Sequence, residues 1–471
     1  MDHTAERIAC HFDELAPKIE RWRSRNHYYH DDQSRYLGYL VEKNKRVLEL
    51  GCGNGELLNS LAPAYGVGID LSQNLVAQAR SRYPHLQFQT ADAETWPLDC
   101  PERFDYIILS DLISYLGDIQ RCLENLHPLC YEGTRIIISC YNFLWQPVLE
   151  TAEKLGLKMP TPDQSWIALD DIRNLLYLGN YEVIKTERRL LFPKYVPGIS
   201  WLLNHIGTLP VINNACLAQY IVARSIHATP LRERSVSIVI PCRNEFGNIR
   251  PAIERLPDFG TWQEIIFVDG HSSDGTREEI ERVIAGYPDK KIRLLLQTGK
   301  GKGDAVRLGF DAAEGDILMI LDADLTVPPE ALPRFYQAIA SSKGDFLNGC
   351  RLIYPMEDRA MRALNQLGNK FFAMCFSWLL GQRLKDTLCG TKVLFRTDYQ
   401  AIARNRSYFG DFDPFGDFDL LFGASKLNLK IIEVPVRYRN RSYGETKIHR
   451  FRHGLILLRM VFYAYRKMKS F

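Results

Sequence analysis

Acidic and basic side chains stand at four places in the second half of the chain. The most distinctive is Asp322-Ala323-Asp324, because two carboxylates spaced two residues apart can place oxygens on one hard cation that bridges a diphosphate. The other groups supply carboxylates for a base and a ribose, and positive charge for phosphates. They are Pro241, Arg243 and Glu245, then Asp269 and Asp274, then Lys302 and Arg307. Together these side chains suit a sugar nucleotide.

Short apolar runs must position these residues. The runs predict strands over 237–240, 264–269, 292–296 and 316–322, with helical stretches between them. Strands of this kind alternating with helices predict a buried, mostly parallel sheet. Residues just past the carboxyl ends of parallel strands gather in one crevice, so the four groups are expected to share a pocket.

In this order and spacing the four groups resemble glycosyltransferase family 2, with the GT-A fold. The resemblance implies inverting transfer of a sugar from a nucleotide diphosphate sugar. It also implies that Asp322 and Asp324 hold Mg²⁺ or Mn²⁺, which neutralises the leaving diphosphate. By the same resemblance the catalytic carboxylates are Asp322, Asp324, Asp417 and Asp419.

Later segments resemble the dolichyl-phosphate mannose and glucose synthases of that family. They are 348–351, 386–392, 417–419 and 441–447. The resemblance implies a polyprenyl phosphate or another lipid-linked acceptor, contacted by Arg351, Lys392, Arg441 and Lys447. Thr446 stands where serine is usual, and Gly390 and Thr391 precede Lys392 where an aromatic residue is usual. An acceptor phosphate is already anionic near neutral pH, so no strong general base is expected.

A second constellation lies in the first half of the chain. Glu49 lies in the apolar run 47–50, and a glycine-rich loop that opens a helix follows this run. Glycines let the backbone turn sharply and approach a ligand closely. Asp70 ends the next strand, where it can accept both hydroxyls of a ribose, and Asp92 follows a third strand, where it can accept from an adenine amino group. The loop glycines are Gly51, Gly53 and Gly55, which do not match the G-x-G-x-x-G fingerprint of NAD-binding proteins.

Over about residues 30–226 these features resemble the class I S-adenosylmethionine-dependent methyltransferases. The resemblance implies that the glycine loop cradles the methionine moiety, that Asp70 binds ribose and that Asp92 contacts adenine. The methyl acceptor stays open. Asp111, Tyr115 and Asp118 stand where acceptor-facing groups occur, but a plain helix start explains them equally well.

Two segments near this constellation have alternative interpretations. The cluster 27–32, HYYHDD, can close over the cofactor, whereas a metal site there would be unusual. The apolar segment 192–217 is either core packing, which we favour, or a wall for a greasy acceptor.

Length and composition set the overall organisation. A chain of 471 residues, 46% hydrophobic and 24% charged, predicts two or three globular domains. Both halves are expected to be α/β with doubly wound, mostly parallel sheets, the first of them Rossmann-like. We predict a methyltransferase domain over 1–226, a linker over 227–234, a glycosyltransferase domain over 235–440 and a basic amphipathic tail over 441–471. The 11 scattered cysteines favour a reducing, cytoplasmic location without zinc or disulfides.

The charge is concentrated at one end. Residues 437–471 contain ten Lys and Arg against Glu445, whereas the whole chain has a formal charge of +3. A basic tail predicts a local anionic partner. The segment 371–380 and a helix from about Arg450, with Arg452, Arg459 and Arg466 on one face, suit a helix in the headgroup layer. The alternative is packing on the catalytic domain or on a second subunit. No secretory signal or transmembrane helix is expected.

The sequence therefore predicts a bifunctional enzyme that is peripheral at the cytoplasmic face of a membrane. One domain transfers sugar to a lipid-linked acceptor, and the other transfers methyl from S-adenosylmethionine. The alternative is that the first domain only binds S-adenosylmethionine or recruits a partner. Nucleic-acid methylation is disfavoured, because the basic tail lies at the far end of the other domain and no base-flipping motif is present.

Overall fold

The chain forms two compact units. In the computed structural model, the described residues are 3–96, 102–162, 164–226, 233–351, 363–405, 418–439, 441, 443 and 450–470. The first unit comprises Met1–His227 with Ser470–Phe471, and the second comprises Ala228–Lys469. The boundary falls within the linker predicted over 227–234.

The first unit is built on a seven-stranded sheet in the order β3-β2-β1-β4-β5-β7-β6. Strand β7 runs antiparallel to both of its neighbours, and the other pairs are parallel. The strands are β1 (Arg46–Leu50), β2 (Tyr65–Asp70), β3 (Gln87–Thr90), β4 (Tyr106–Ser110), β5 (Arg135–Tyr141), β6 (Tyr181–Arg189) and β7 (Ala218–Ser225). The α-helices are α1 (His3–Leu15), α2 (Ile19–Arg25), α3 (His27–Leu40), α4 (Glu56–Ser60), α5 (Gln73–Arg82), α6 (Ile119–Asn125), α7 (Gln146–Lys154), α8 (Leu169–Leu178) and α9 (Ile199–Gly207).

The second unit is also built on a seven-stranded sheet, in the order β10-β9-β8-β11-β13-β12-β14. Here β13 is antiparallel to β11 and β12, and the other pairs are parallel. The strands are β8 (Val236–Cys242), β9 (Gln263–Asp269), β10 (Lys291–Leu296), β11 (Ile317–Ile320), β12 (Phe346–Cys350), β13 (Lys392–Phe395) and β14 (Ile431–Pro435). The α-helices are α10 (Phe246–Glu254), α11 (Thr276–Gly286), α12 (Lys302–Asp311), α13 (Leu332–Ala340), α14 (Ala363–Leu380), α15 (Arg396–Arg404), α16 (Phe418–Lys426) and α17 (Arg450–Met468).

Continuous apolar runs became central strands because helices cover both faces of each sheet. Ile136 and Ile137 in β5 and Ile238 and Ile240 in β8 have no exposed surface. Alternation of buried and exposed residues is therefore absent from these strands, as expected for parallel sheets. The predicted fold class is confirmed, and each strand predicted from an apolar run is present within two residues of its predicted bounds.

The tail helix α17 belongs to the core of the second unit on one face. Leu457, Met460, Ala464 and Met468 are buried there, and the Tyr465 ring stacks on Trp378 of α14 at 5.6 Å between centroids. Packing on the catalytic domain, the alternative for this helix, is thus present along that face. The opposite side is apolar and exposed at Leu455, Leu458 and Phe462. Within the described parts of the chain, no helix combines the length and hydropathy that crossing a bilayer requires.

Candidate active sites

The glycine-rich loop of the first unit joins β1 to α4 and lies against the end of β2. The amide of Gly53 donates to Oδ2 of Asp70 at 2.8 Å, and the amide of Gly51 donates to the carbonyl of Ile69 at 2.7 Å. Gly55 has φ +76°, and a Cβ there would lie 2.6 Å from the Phe88 ring. The loop therefore needs glycine both for its backbone conformation and for space.

Three carboxylates surround this loop. Glu49 is 2% exposed, and its Oε2 has no hydrogen-bond partner among the described residues. Burial raises the pKa of Glu49 to about 8. Asp70 accepts from the amides of Gly53 and Ser72, and burial raises its pKa as well. Asp92 accepts from the amide of Glu94 at 3.0 Å. The structure thus places all three predicted cofactor carboxylates at the ends of neighbouring strands.

A cavity of about 380 Å³ runs from the glycine loop to the N-terminal helices. Tyr29 and His30 of the predicted cluster 27–32 lie in its wall. Burial lowers the pKa of His30 to about 3, so its ring is neutral. Two other members of the cluster have different surroundings. Asp32 forms an ion pair with Arg189 at 2.7 Å, and His27 is exposed. Two members of the cluster thus line the cavity, and closure of the cluster over the cofactor stays a prediction.

Asp111 follows β4 and stands in the same cavity. Its backbone has φ +53°, which is rare for a residue with a side chain. Its carboxylate accepts from Tyr29 Oη at 2.7 Å, Gln33 Nε2 at 2.8 Å and Ser139 Oγ at 3.1 Å. Burial raises the pKa of Asp111, and these three hydrogen bonds act in the opposite direction.

The other two candidate acceptor residues differ in location. Tyr115 lines the cavity, where its ring contacts Phe12 edge to face at 5.7 Å. Asp118 caps helix α6 instead, accepting from the Arg121 amide at 2.9 Å, so the helix-start interpretation applies to it. Sequence reasoning missed Gln33 and Ser139. The signals were the spacing of four from Tyr29 to Gln33, which puts both on one helix face, and a serine ending an apolar strand.

The apolar segment 192–217 does not fit either interpretation as a whole. Pro193, Lys194 and Leu217 line the cavity. Trp201 and Leu202 of α9 are 63% and 52% exposed, so they neither fill the core nor face that cavity. Our preference for core packing is wrong for these two side chains.

In the second unit, the loops after β8 and β9 are joined by hydrogen bonds. The amide of Asn244 donates to Ser272 Oγ at 2.9 Å, and the amide of Ser273 donates to Asn244 Oδ1 at 2.9 Å. Glu245 accepts from Asn248 Nδ2 at 2.7 Å and is buried. The sequence-predicted residues Arg243 and Asp274 stand on the same two loops, and Pro241 and Asp269 lie at the ends of the strands that precede them. Asp269 is buried and Arg243 is exposed. The first two predicted groups therefore meet.

The aspartate pair after β11 is held by two cations from distant segments. Lys302 Nζ, at the start of α12, lies 2.5 Å from Asp322 Oδ1, and Arg441 Nη2 lies 2.6 Å from Asp324 Oδ2. Asp324 also accepts from the amide and hydroxyl of Thr326. The structure thus brings together residues predicted for the donor site and a residue predicted to contact the acceptor, which lie up to 139 positions apart (441 − 302).

Gly390 lies next to this cluster. A Cβ at Gly390 would approach the Asp322 carboxylate and the Lys302 ammonium so closely that these side-chain ends would have to shift. Nearby, Arg307 Nη1 lies 3.8 Å from Asp419 Oδ2.

Some predicted residues stand elsewhere. Arg351 is committed to a bidentate ion pair with buried Asp386 at 2.7 and 2.8 Å. Lys392 has no exposed surface, and its Nζ donates to the carbonyl of Cys389 at 2.7 Å. Asp417 and Lys447 lie outside the described residues.

Asp322 and Asp324 are suited to a divalent cation even though two ligands alone do not enclose one. Among the residues described, no group of three or more His, Cys, Asp or Glu side chains is arranged to hold a metal ion. Mg²⁺ is commonly held by one or two carboxylates together with substrate phosphates, so a pair suffices when the donor diphosphate supplies the rest.

Comparison with known proteins settles the domain content. Residues 237–409 match the family model for glycosyl transferase family 2, and residues 47–133 match that for a methyltransferase domain. The chain joins a methyltransferase domain to a family 2 glycosyltransferase domain. The aspartate cluster of Lys302, Asp322, Asp324 and Arg441 belongs to the second unit, and the glycine loop lies inside the methyltransferase match.

Two curated relatives are sugar transferases by name. Dolichol-phosphate mannosyltransferase of Pyrococcus furiosus is 30% identical over 241 residues, which is 50% of this chain and 64% of the relative. Undecaprenyl-phosphate 4-deoxy-4-formamido-L-arabinose transferase of Pectobacterium atrosepticum is 30% identical over 221 residues, 45% of this chain and 62% of the relative. The chain thus spans less than two thirds of the length of these two relatives.

A solved structure is similar to the other part of the chain. An S-adenosylmethionine-dependent methyltransferase of Thermotoga maritima, a possible histamine N-methyltransferase, covers 46% of this chain and 100% of its own length, with 18% identity and a TM-score of 0.38. A likeness at this level carries no argument about function.

Proposed function

We propose that the protein is a bifunctional transferase. Its glycosyltransferase domain transfers a sugar from a nucleotide diphosphate sugar to a polyprenyl phosphate, and its methyltransferase domain transfers methyl from S-adenosylmethionine within the same glycan or lipid pathway. The observation that carries the first part is the convergence of Lys302, Asp322, Asp324 and Arg441. Both relatives named above have a polyprenyl-type phosphate in their names.

In the proposed sugar transfer, Asp322 and Asp324 would hold Mg²⁺ or Mn²⁺, and the cation would supply charge neutralisation for the leaving diphosphate. Lys302 starts helix α12, where its ammonium and the helix N-terminus both favour phosphate oxygens. Arg441, whose Nη2 lies 2.6 Å from Asp324 Oδ2, would contact the acceptor phosphate. The loops after β8 and β9 hold the nucleotide through Glu245 and Asp269. Because the acceptor phosphate is already anionic, the main task of the site is to hold the acceptor and the donor in the correct orientation.

The Asp324→Asn variant tests this assignment. Sugar transfer to undecaprenyl phosphate in detergent micelles is measured with Mn²⁺ and labelled GDP-mannose, UDP-glucose or dTDP-sugar donors. We expect at least a 100-fold loss of transfer, as for loss of a group that stabilises the leaving charge. Methyl transfer should be unchanged. The matched control is Asp289→Asn, since Asp289 is exposed. Unimpaired transfer in the Asp324 variant would refute the assignment.

For methyl transfer, the described residues fit S-adenosylmethionine at the glycine loop. Gly53 leaves open space where a Cβ would stand, and Glu49 Oε2 is a buried acceptor that lacks a donor among the described residues. The bound cofactor supplies an electrophilic methyl group. Glu49 and Asp70 are the side chains that would hold its polar groups. Titration of the full chain with S-adenosylhomocysteine should show binding that Asp70→Ala weakens at least tenfold.

The alternative is a methyltransferase domain that binds the cofactor without turnover. A non-catalytic module has no need of a cavity that extends past the cofactor loop to Asp111, so the geometry favours catalysis. Transfer of tritiated methyl into a membrane extract separates the two. Cofactor binding without any labelled product would establish the binding-only function.

We also propose that the protein contacts a membrane surface peripherally. Leu455, Leu458 and Phe462 of α17 are exposed, as are Phe371 and Met374 of α14, while the opposite sides of both helices are buried. Exposed apolar side chains on a basic amphipathic helix suit the headgroup layer. Flotation with vesicles containing anionic lipid should recover the wild type. The double variant Leu458→Ser, Phe462→Ser should remain in the soluble fraction, and equal flotation of both proteins would contradict the proposal.

A further inference from the structure

The cavity of the methyltransferase domain has two halves. One half is lined by residues that follow β1, β2 and β3, including Gly53, Asp70 and Asp92. The other half is lined by residues that follow β4 or come from α2, α3 and the end of β5. The sheet order places β1 beside β4, so the halves lie on either side of the point where the strand order reverses. A cofactor bound at the glycine loop leaves the second half for another molecule.

Asp111 is the chemically unusual residue of this second half. It accepts three hydrogen bonds, from Tyr29, Gln33 and Ser139, and it forms no ion pair with a cation among the described residues. A desolvated carboxylate without a cation reduces stability, and so does a positive φ at a residue with a Cβ. Two segments of the chain, α3 and β5, converge on Asp111 to hold this unfavourable arrangement. Such over-determined strain in a cavity wall is typical of a functional site.

Flat aromatic side chains are among the residues that line the cavity. Trp22, Tyr115 and Tyr141 line the cavity, and the Tyr141 ring lies 5.5 Å from that of Tyr29. Small-molecule sites commonly combine such apolar walls with a few fixed polar groups. A ligand with an apolar ring face and a projecting hydroxyl or amino group matches this wall. A sugar ring has both features.

We propose that this second half, the acceptor compartment (Tyr29, Gln33, Asp111, Tyr115 and Tyr141), takes a hydroxyl or amino group of a sugar, and that Asp111 receives its proton. The inference rests on the methyl transfer proposed above. In the step, the carbon–sulfur bond of the methyl sulfonium breaks and its electron pair stays on sulfur. A bond forms from the methyl carbon to the acceptor oxygen or nitrogen, and the proton passes to the Asp111 carboxylate and then to water.

Binding to the full chain tests the compartment without turnover. Glucosamine and methyl glucoside are titrated by ligand-observed NMR, with S-adenosylhomocysteine present. We expect at least one sugar to bind the wild type and to bind Asp111→Asn at least tenfold more weakly. The affinity for S-adenosylhomocysteine should stay within twofold. Asp118→Asn is the matched control, because it makes the same chemical change at a helix cap where asparagine serves equally well.

The possible results distinguish failure of the acceptor compartment from failure of the cofactor site. Absence of S-adenosylhomocysteine binding in the wild type would refute the proposed cofactor function. Binding of S-adenosylhomocysteine with neither sugar bound would overturn the acceptor compartment alone. Equal sugar affinity in the Asp111 and Asp118 variants would overturn it as well. Preference for glucosamine or for methyl glucoside identifies the acceptor group as amine or hydroxyl.

The variant Tyr29→Phe provides a second test, whose expected result would not arise if Asp111 had only a structural role. The hydrogen bond from Tyr29 stabilises the ionised form of Asp111, so its loss should raise the pKa of Asp111. The acidic limb of the pH dependence of binding should therefore move to higher pH. An unchanged limb would contradict the role of Asp111. Other charged or titratable groups that act on this carboxylate are Arg23, Tyr115, Cys140, Tyr141 and Tyr220.

Discussion

Replacing Asp32 with asparagine tests how the helix over the methyltransferase cavity is held. The Asp32 carboxylate accepts from Arg189 Nη2 at 2.7 Å and Nε at 3.2 Å, and both side chains are 8% exposed. The Arg189 guanidinium also lies 4.8 Å from the centre of the Tyr36 ring. This pair therefore ties α3, which carries Tyr29 and Gln33, to strand β6.

The expected loss of stability follows from burial. Two unit charges 2.7 Å apart attract by about 6 kcal/mol at an effective dielectric constant of about 20, and desolvation cancels much of this. Removing one charge takes this carboxylate away from the buried Arg189 guanidinium, which costs about 3–5 kcal/mol. Because about 1.4 kcal/mol is a factor of ten, the equilibrium for opening this region should rise by roughly 100-fold to 4,000-fold.

Hydrogen exchange measures the opening equilibrium of this region separately from that of the second unit. Peptides covering 27–40 and 181–189 should exchange faster by that factor in Asp32→Asn, while peptides covering 236–242 serve as the internal reference. Asp31→Asn is the matched control because Asp31 is the exposed neighbour. The double variant Asp32→Leu, Arg189→Met should lose less stability than the single change, since no charge is left buried. An increase below tenfold, or the same increase in Asp31→Asn, would refute the reasoning.

Three further results are expected from the methyltransferase domain. Burial raises the pKa of Glu49 to about 8, against an ordinary value of 4.5. The contribution of Glu49 to stability is therefore lost as the pH rises from about 4.5 through 8. In Glu49→Gln, the fall in unfolding free energy between pH 5 and 8.5 should be smaller than in the wild type. Gly55→Ala should lower the free energy of unfolding by about 1–3 kcal/mol, because Gly55 has a positive φ and a Cβ there would meet the Phe88 ring. Calorimetry should also show weaker binding of S-adenosylhomocysteine. Gly38→Ala is the control, and it should be neutral or stabilising because a Cβ at Gly38 would stand in open space. The His30 ring, with its pKa lowered by burial to about 3, should show no NMR titration between pH 5 and 8, and a midpoint near 6.5 would contradict its burial.

The sequence predicts the parts of this fold whose signal is local. Apolar runs mark the central parallel strands, because those strands are buried on both faces. The antiparallel strands β7 and β13 were not predicted, since the direction of a strand depends on which neighbour it pairs with. β7 pairs with β5, and β13 pairs with β11, through contacts between distant segments.

The site residues divide in the same way. Groups at the ends of adjacent strands lie close together because the sheet topology places them side by side. The Asp70 carboxylate and the glycine loop are an example. Side-chain direction is not encoded by position alone: Lys392 turns into the interior, and Arg351 pairs with Asp386, 35 residues away. The pairing of Arg441 with Asp324 spans 117 residues, and no local pattern indicates it.

That pairing has a kinetic consequence for the proposed sugar transfer. A divalent cation at Asp324 would compete with the Arg441 guanidinium for this carboxylate, and an acceptor phosphate would compete with Asp324 for Arg441. Binding of the cation and donor would thus make Arg441 available to the acceptor. The proposed reaction would then follow a compulsory order, donor before acceptor, and product-inhibition patterns would reveal it.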